Sequence, residues 1–153
     1  MPQYAVIDCA ADDALYAAVL IEPQSKSLLE GKISADLIDA TPHIARLADG
    51  SPLFDVLWSG SQPFGIFCAS ALSLMQVRRQ LRRNLQALLP DGQIAMFRFF
   101  DPRVFPTYIE NGPEEGLGPW FGSITDWWIP VQTGVLHYCV VDDSLHKRIL
   151  QRS

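Results

Sequence analysis

Four arginines within six residues form the densest group of side chains in this sequence that could bind or react with another molecule. Arg78, Arg79, Arg82 and Arg83 are spaced so that, on a helix, all four share one patch beside a stripe of apolar residues. The guanidinium group pairs with carboxylates and phosphates through two parallel hydrogen bonds. Because residues 73–89 contain no Asp or Glu, the counter-charges come either from acidic segments of the same protein or from a partner.

The charge along the chain isolates this basic cluster. The net charge is −5, but residues 78–103 carry six basic and two acidic side chains. Residues 1–77 carry three basic and nine acidic side chains, residues 104–143 carry six acidic and no basic ones, and the last ten carry three basic ones. An acidic body opposes a polyanion, so a protein partner is favoured over a nucleic acid. A nucleic-acid binder would require an affinity that falls steeply with salt.

A second charged group follows a predicted strand, at the point where a helix is expected to begin. Arg98, Asp101 and Arg103 occupy this segment, with Asp101-Pro102 as a typical N-cap and first helical residue. One interpretation is an Asp that caps the helix and pairs with an Arg. The other is a ligand site, because open α/β sheets often bind ligands at the carboxyl ends of strands. A small α/β enzyme with its site at this turn therefore remains the alternative function.

Aromatic residues are concentrated between positions 120 and 128. Trp120, Phe121, Trp127 and Trp128 lie within nine residues, and adjacent residues of a strand point to opposite faces. We expect Trp120 and Trp128 to anchor a partner if one face of this strand is uncovered, and to pack in the core otherwise.

Cysteines and histidines indicate neither a metal site nor a nucleophile. Cys9, Cys68 and Cys139 are far apart in apolar surroundings, which is typical of buried free thiols in a reducing compartment. The three histidines show no zinc-ligand spacing, and no glycine-rich phosphate motif occurs, so no cofactor or metal is expected. His137 is close in sequence to Cys139, which is weak support for a reactive thiol. Without a signal peptide or a membrane span, we expect a cytoplasmic protein with no membrane contact.

The elements that must position these groups predict a single α/β domain over residues 1–153. Acids at the start and apolar residues after them indicate a helix capped at Asp12 and reaching Ile21, and the apolar stripe of the basic segment indicates a long helix. A strand, this helix and a further strand suggest a βαβ unit, in a mixed sheet of five or six strands flanked by helices. The predicted strands are 3–7, 36–40, 64–69, 94–100, 123–131 and 134–141, and Gln132-Thr133 is the predicted hairpin turn between the last two. The other predicted helices are 51–58, with Ser51 as its cap and Pro52 in its first turn, 73–89, 101–110 and 144–151.

The order of several motifs resembles a known bacterial family. A Tyr4-Ala5-Val6-Ile7-Asp8 start leads to the basic helix segment Leu81-Arg82-Arg83-Asn84-Leu85. Asp91-Gly92 then precedes Met96-Phe97-Arg98-Phe99-Phe100-Asp101-Pro102-Arg103-Val104, and Trp120-Phe121-Gly122-Ser123-Ile124 is the last marker. Together these motifs, over about residues 4–128, resemble the type VI secretion effector adaptor or chaperone family, domain of unknown function 4123.

The resemblance implies a non-enzymatic cytoplasmic protein with two protein partners. One is a toxic effector, and the other is the spike tip protein of the secretion machine, onto which the effector is loaded. The residues expected to bind them are Arg78, Arg79, Arg82, Arg83, Arg98, Asp101, Arg103, Trp120 and Trp128. Members of that family often carry a further, divergent C-terminal region, so the resemblance also implies an extension that this 153-residue chain would lack.

Overall fold

The fold is built on one antiparallel sheet. A computed structural model of the protein describes residues 1–29, 42–59, 63–88, 90–92 and 94–152. In this part of the chain seven strands form a sheet of order β2-β3-β1-β4-β7-β8-β9, and two short strands pair separately as β5-β6. All these pairings are antiparallel. The strands are β1 Tyr4–Ile7, β2 Ser25–Ser27, β3 His43–Arg46, β4 Gly65–Ser70, β5 Gln86–Leu88, β6 Ile94–Met96, β7 Ile124–Val131, β8 Gly134–Val141 and β9 Ser144–Leu150.

Four α-helices are described, and either a side-chain cap or a proline in the first turn marks the start of each. The Asp12 carboxylate accepts the Leu15 N–H at 3.0 Å, and Pro52 occupies the first turn of the second helix, as the sequence predicts. Ser73 and Gln76 form a reciprocal capping box at the third helix. A short 3-10 turn, Cys9–Ala11, precedes the first helix. The helices are α1 Asp13–Leu20, α2 Pro52–Trp58, α3 Leu74–Arg83 and α4 Phe105–Glu110.

Side chains alternate across the sheet and produce two buried layers. Tyr4 and Val6 of β1 belong to a core with residues of α3, α4 and the 97–121 segment, whereas Ala5 and Ile7 belong to a core with residues of α1 and α2. Helices therefore cover both faces of the sheet. The predicted α/β class with helices flanking a sheet is confirmed, but the predicted mixed sheet of five or six strands is wrong: the described sheet has seven strands, and all of their pairings are antiparallel.

The predicted βαβ unit is not formed. After α3 the chain turns back into the β5-β6 hairpin, and β4 instead pairs antiparallel with β1 and β7. The predicted helix 73–89 ends at Arg83, because the chain continues as β5 from Gln86. The predicted strand 94–100 is shortened to Ile94–Met96, because only these three residues pair with β5 across the hairpin.

The predicted C-terminal helix 144–151 is a strand. β7, β8 and β9 form a meander with two-residue turns at Gln132-Thr133 and Asp142-Asp143. Both aspartates have positive φ, 51° and 62°, the backbone conformation that a tight hairpin turn needs and that Asp tolerates better than most residues. The first of these two hairpins was predicted, whereas the predicted strand 36–40 lies outside the described residues.

Within the described ranges, no helix combines the length and apolarity that crossing a bilayer requires.

Candidate partner-binding surface

The apolar stripe of α3 orients its arginines. Leu74, Val77 and Leu81 are buried in the core that lies between this helix and the sheet. Residues on the other sides of the helix must then face the protein edge or solvent. The predicted amphipathic arrangement is therefore present, on a helix shorter than expected.

Amide side chains fix one flank of α3 to the segment before β7. The Gln80 amide donates to the carbonyls of Phe121, at 3.0 Å, and Pro119, at 3.3 Å. Asn84 donates to the Pro119 carbonyl at 2.8 Å, and Ser123 donates its hydroxyl to Gln80. These bonds satisfy carbonyls that no strand pairs, so they hold the helix and its arginines in place. Polar residues at 80 and 84, four positions apart, were the sequence signal for this flank.

Arg78 is a structural residue on the opposite flank. Its guanidinium donates to the carbonyl of Ser27 at 2.6 Å and to that of Leu29 at 3.2 Å, and its side chain is half-buried. These bonds connect α3 to the end of β2. Arg78 thus does not belong to the exposed part of the predicted binding patch.

Arg79 and Arg83 are exposed and line a shallow groove of about 360 Å³, together with Leu72, Gln76 and Gly118. Neither guanidinium pairs with a carboxylate anywhere in the described residues. Two guanidinium groups one helical turn apart can bind carboxylates or another anion through charge-assisted hydrogen bonds. We call Arg79, Arg83 and the groove they line the α3 surface.

Arg82 lies between these exposed arginines in sequence but is half-buried, and it has contacts of its own within the protein. The predicted four-arginine patch is thus divided: the chain itself engages Arg78 and Arg82, and the α3 surface retains Arg79 and Arg83.

Arg98 has its counter-charge in the protein. Its guanidinium lies 2.5 Å from the carboxylate of Asp8 and 5.3 Å above the centre of the Phe100 ring. The Asp8 side chain is 9% exposed and also accepts the Ala10 N–H at 3.1 Å. The interaction joins the end of β1 to the segment before α4. Sequence reasoning missed Asp8 as the partner because 90 positions separate the two residues.

Asp101 organises a turn. Its carboxylate accepts three hydrogen bonds from Arg103: from the backbone N–H at 2.8 Å, from Nε at 3.0 Å and from Nη2 at 2.8 Å. Burial raises the pKa of the Asp101 carboxyl, but the hydrogen bonds and charge of Arg103, with the charge of Arg98, outweigh it, so the pKa lies below its usual value. The helix begins later than predicted, at Phe105, whose N–H bonds to the Asp101 carbonyl at 3.1 Å.

Trp120 and Trp128 are not exposed anchors. They are 2% and 8% exposed, so the structure corrects their assignment to a partner surface. Trp120 packs edge-on against Phe99 and Phe105, with ring centres 5.0 and 5.8 Å apart, and its carbonyl accepts the Trp127 indole N–H at 2.7 Å. The segment before β7 and the strand itself fill both buried layers, which is why both faces of this aromatic group are covered.

Comparison with protein families adds a match over most of the chain. Residues 3–118 match the family model described as "Domain of unknown function (DUF4123)". This chain belongs to the DUF4123 family. No curated protein and no solved structure matches the chain. The match includes α3 and the 98–103 turn, whereas β7, β8 and β9 follow it.

Within the DUF4123 segment, folding creates one cysteine–histidine contact. Cys9 Sγ lies 3.4 Å from His43 Nδ1, and both side chains are buried, at 1% and 7% exposed. A nucleophile needs access to a substrate, so this buried contact belongs to packing. Burial also raises the pKa of the Cys68 thiol, which keeps it protonated. In the described residues no group of three His, Cys, Asp or Glu side chains could hold a metal ion.

Beyond the DUF4123 match, a polar chain crosses three strands. His137 Nε2 lies 2.7 Å from Asp126, its Nδ1 lies 3.3 Å from Arg148 Nη2, and its ring stacks on Trp128 at 5.1 Å. Burial raises the pKa of the Asp126 carboxyl. The hydrogen bonds from Thr125 and His137 outweigh that effect, so the pKa lies below its usual value. Sequence proximity suggested Cys139 as the partner of His137. The register of the three strands instead places Asp126, Trp128 and Arg148 beside the His137 ring.

Proposed function

We propose that this DUF4123 protein is a cytoplasmic adaptor that binds a toxic effector and helps load it onto the spike tip protein of a type VI secretion machine. The observation that carries the proposal is the α3 surface. It presents Arg79 and Arg83, exposed and without a carboxylate partner in the described structure, on a protein with a net charge of −5. The resemblance of the motif order supplies the identity of the partners.

The mechanism is recognition without bond-making. The α3 surface would bind acidic side chains of the effector, and hydrogen bonds of Gln80 and Asn84 keep the helix rigid, so little ordering is needed on binding. Complementary charge would accelerate encounter and exclude partners with a basic surface. The acidic remainder of the chain would repel the phosphates of a nucleic acid.

The geometry of the 98–103 turn does not favour the alternative enzyme. A general acid or base must reach a substrate proton, yet Asp101 is 5% exposed and its carboxylate accepts three hydrogen bonds from Arg103. The Asp8 carboxylate is likewise engaged by Arg98. Both acids are accounted for by turn and strand structure, so the binding function is the one we propose.

A pull-down with the products of the neighbouring genes tests this proposal. The tagged chain should retain a toxin and a spike protein encoded beside it, and failure to retain either one, with the chain folded, would contradict the adaptor function.

A matched pair of charge reversals locates the binding surface. Arg83→Glu should reduce retention, because it places a carboxylate on the α3 surface. Lys26→Glu makes the same change in charge at an exposed position of β2 and should leave retention unchanged. Equal loss in both variants would indicate a general charge effect and remove the α3 surface from the proposal.

A further inference from the structure

The sheet ends at β9, a long strand whose outer edge is unpaired in the described structure. β9 has seven residues, and β8 is its sheet neighbour. Val141 and Ser144 close a two-residue turn, so they form a hydrogen-bonded pair, and every second pair along the hairpin does the same. The backbone N–H and C=O groups of Leu145, Lys147 and Ile149 therefore point away from β8. Such a row of free groups is a template for another strand.

The chain after β9 is held at a different place. The Arg152 guanidinium donates to the carbonyls of Trp58, at 2.9 Å, and Gly134, at 2.7 Å, and also to the Val131 carbonyl. These acceptors lie on α2 and at the β7-β8 turn. Residues 151–152 thus lead towards the β7-β8 turn, so they do not cover the outer edge of β9.

The side chains on this edge are apolar and basic. Ile149 is 58% exposed and Leu145 is half-buried, and they flank Lys147 on one face. Lys147 binds Glu110 at 3.0 Å, while the exposed Arg148 on the other face has the His137 ring as its hydrogen-bond partner and pairs with no carboxylate in the described residues. β9 itself contains no acidic residue.

These charges decide between a second copy and a different partner. A second β9 paired antiparallel in the register that uses Leu145, Lys147 and Ile149 of both copies would place Lys147 opposite Lys147. Like charges directly opposite each other destabilise a strand pair. A strand with carboxylates at these positions would be stabilised instead.

We propose that the outer edge of β9 binds an extended, acidic segment of a protein partner by strand addition. The segment continues the sheet through backbone hydrogen bonds, places apolar side chains beside Leu145 and Ile149, and places carboxylates beside Lys147 and Arg148. This edge lies outside the residues matched to the DUF4123 model and is separate from the α3 surface.

A synthetic peptide tests the proposal with the whole chain. The peptide Thr-Val-Glu-Glu-Glu-Val-Thr has the same side-chain order in both directions, so its orientation on the edge does not matter. Fluorescence anisotropy should show that it binds, and that the same peptide with Lys in place of Glu binds at least about three-fold more weakly because like charges then oppose each other. Equal binding of the two peptides would overturn the charge assignment.

Proline at Ile149 tests the backbone contact. Ile149→Pro removes an N–H that points away from β8, at a position where edge strands tolerate proline. Peptide affinity should fall about five-fold for the one lost hydrogen bond, whereas the control Ile149→Thr keeps that bond. Unchanged affinity in a folded Ile149→Pro chain would overturn strand addition.

Methylated peptides give the same test on the unaltered chain. In antiparallel pairing the central Glu nitrogen faces β9 and the adjacent nitrogen faces away, and parallel pairing reverses the two, so a methyl group should weaken binding at one of these nitrogens and not at the other. Equal effects would overturn the proposal, as would a chain that sediments as a dimer and becomes monomeric on Ile149→Pro.

Arg79→Glu/Arg83→Glu should leave peptide binding intact. If that variant abolishes peptide binding, the peptide occupies the α3 surface and the β9 proposal is wrong.

Discussion

The α3 arginines and the arginines of the 98–103 turn come from the same basic stretch of sequence, but their counter-charges differ. Arg98 and Arg103 each contact a carboxylate that is less than one-tenth exposed, whereas Arg79 and Arg83 are exposed and line a shallow groove. The first pair stabilises a connection between strands and helix. The second pair remains available. The comparison shows that arginines of one basic stretch stay accessible only where the fold brings no acid to them.

The aromatic residues beside the turn extend this comparison and provide the largest expected effect. Trp120→Ala should lower the free energy of unfolding by about 3–5 kcal/mol, because it leaves a cavity among buried rings. Met75→Ala on α3, where the side chain is 51% exposed, should change it by less than about 0.5 kcal/mol. Urea unfolding followed by circular dichroism measures both. If the Trp120→Ala chain is folded and as stable as the unaltered chain, Trp120 is not a core residue and the prediction that it contacts a partner is favoured again.

Two adjacent arginines of α3 test the division within the helix. Arg78→Ala should cost about 1–3 kcal/mol, since it removes the guanidinium donor from the Ser27 carbonyl and leaves the Leu29 carbonyl with only the Ser27 hydroxyl, at 3.3 Å. Arg79→Ala should be close to neutral, because its side chain is exposed and unpaired in the described residues. The same unfolding measurement applies, and equal costs would show that both arginines are structural.

Acid should weaken the turn and the sheet but not the α3 surface. The pKa values of Asp101, Asp126 and Glu110 lie below their usual range, so the stability these carboxylates contribute is present above about pH 4 and is lost as the pH falls through the folded-state values. Melting temperatures at pH 7, 5 and 3 should fall most below pH 4. The melting temperature of Asp101→Asn should differ less from that of the unaltered chain at pH 3 than at pH 7, and a constant difference would contradict this role of Asp101.

The smallest expected effect on stability belongs to the α3 surface. Arg79→Glu/Arg83→Glu should change the free energy of unfolding by less than about 0.5 kcal/mol, because exposed side chains without partners contribute little. A loss of several kcal/mol would show that these arginines stabilise the fold, and would reverse the comparison.

Local patterns predicted the elements that local chemistry determines. The Asp12 cap, Pro52 in the first turn of α2, and the β7-β8 hairpin follow from neighbouring residues, and each was predicted. The predicted length of α3 was wrong because Leu85, Leu88 and Leu89 continue the helical spacing of apolar residues beyond Arg83, where the helix ends. The chain instead forms a hairpin around the turn that follows.

The same local patterns could not predict contacts between residues that are far apart in the sequence. Nothing near Arg98 indicates that Asp8 pairs with it, and nothing near Cys9 indicates its contact with His43. The β9 strand was predicted as a helix because the left-handed turn at Asp142-Asp143 lacks the glycine that usually marks such a hairpin. The candidate site was therefore predictable as a helix with arginines, but which arginines stay exposed depended on the tertiary fold.

The affinity of the chain for its proposed effector, a toxin retained in the pull-down, tests the central claim most directly. Isothermal titration calorimetry would compare the unaltered chain with Arg79→Glu/Arg83→Glu, after melts confirm that both are folded. The account predicts binding at least about ten-fold weaker in the variant, as expected when central arginines of an interface are replaced. Equal affinity of the two chains would contradict it.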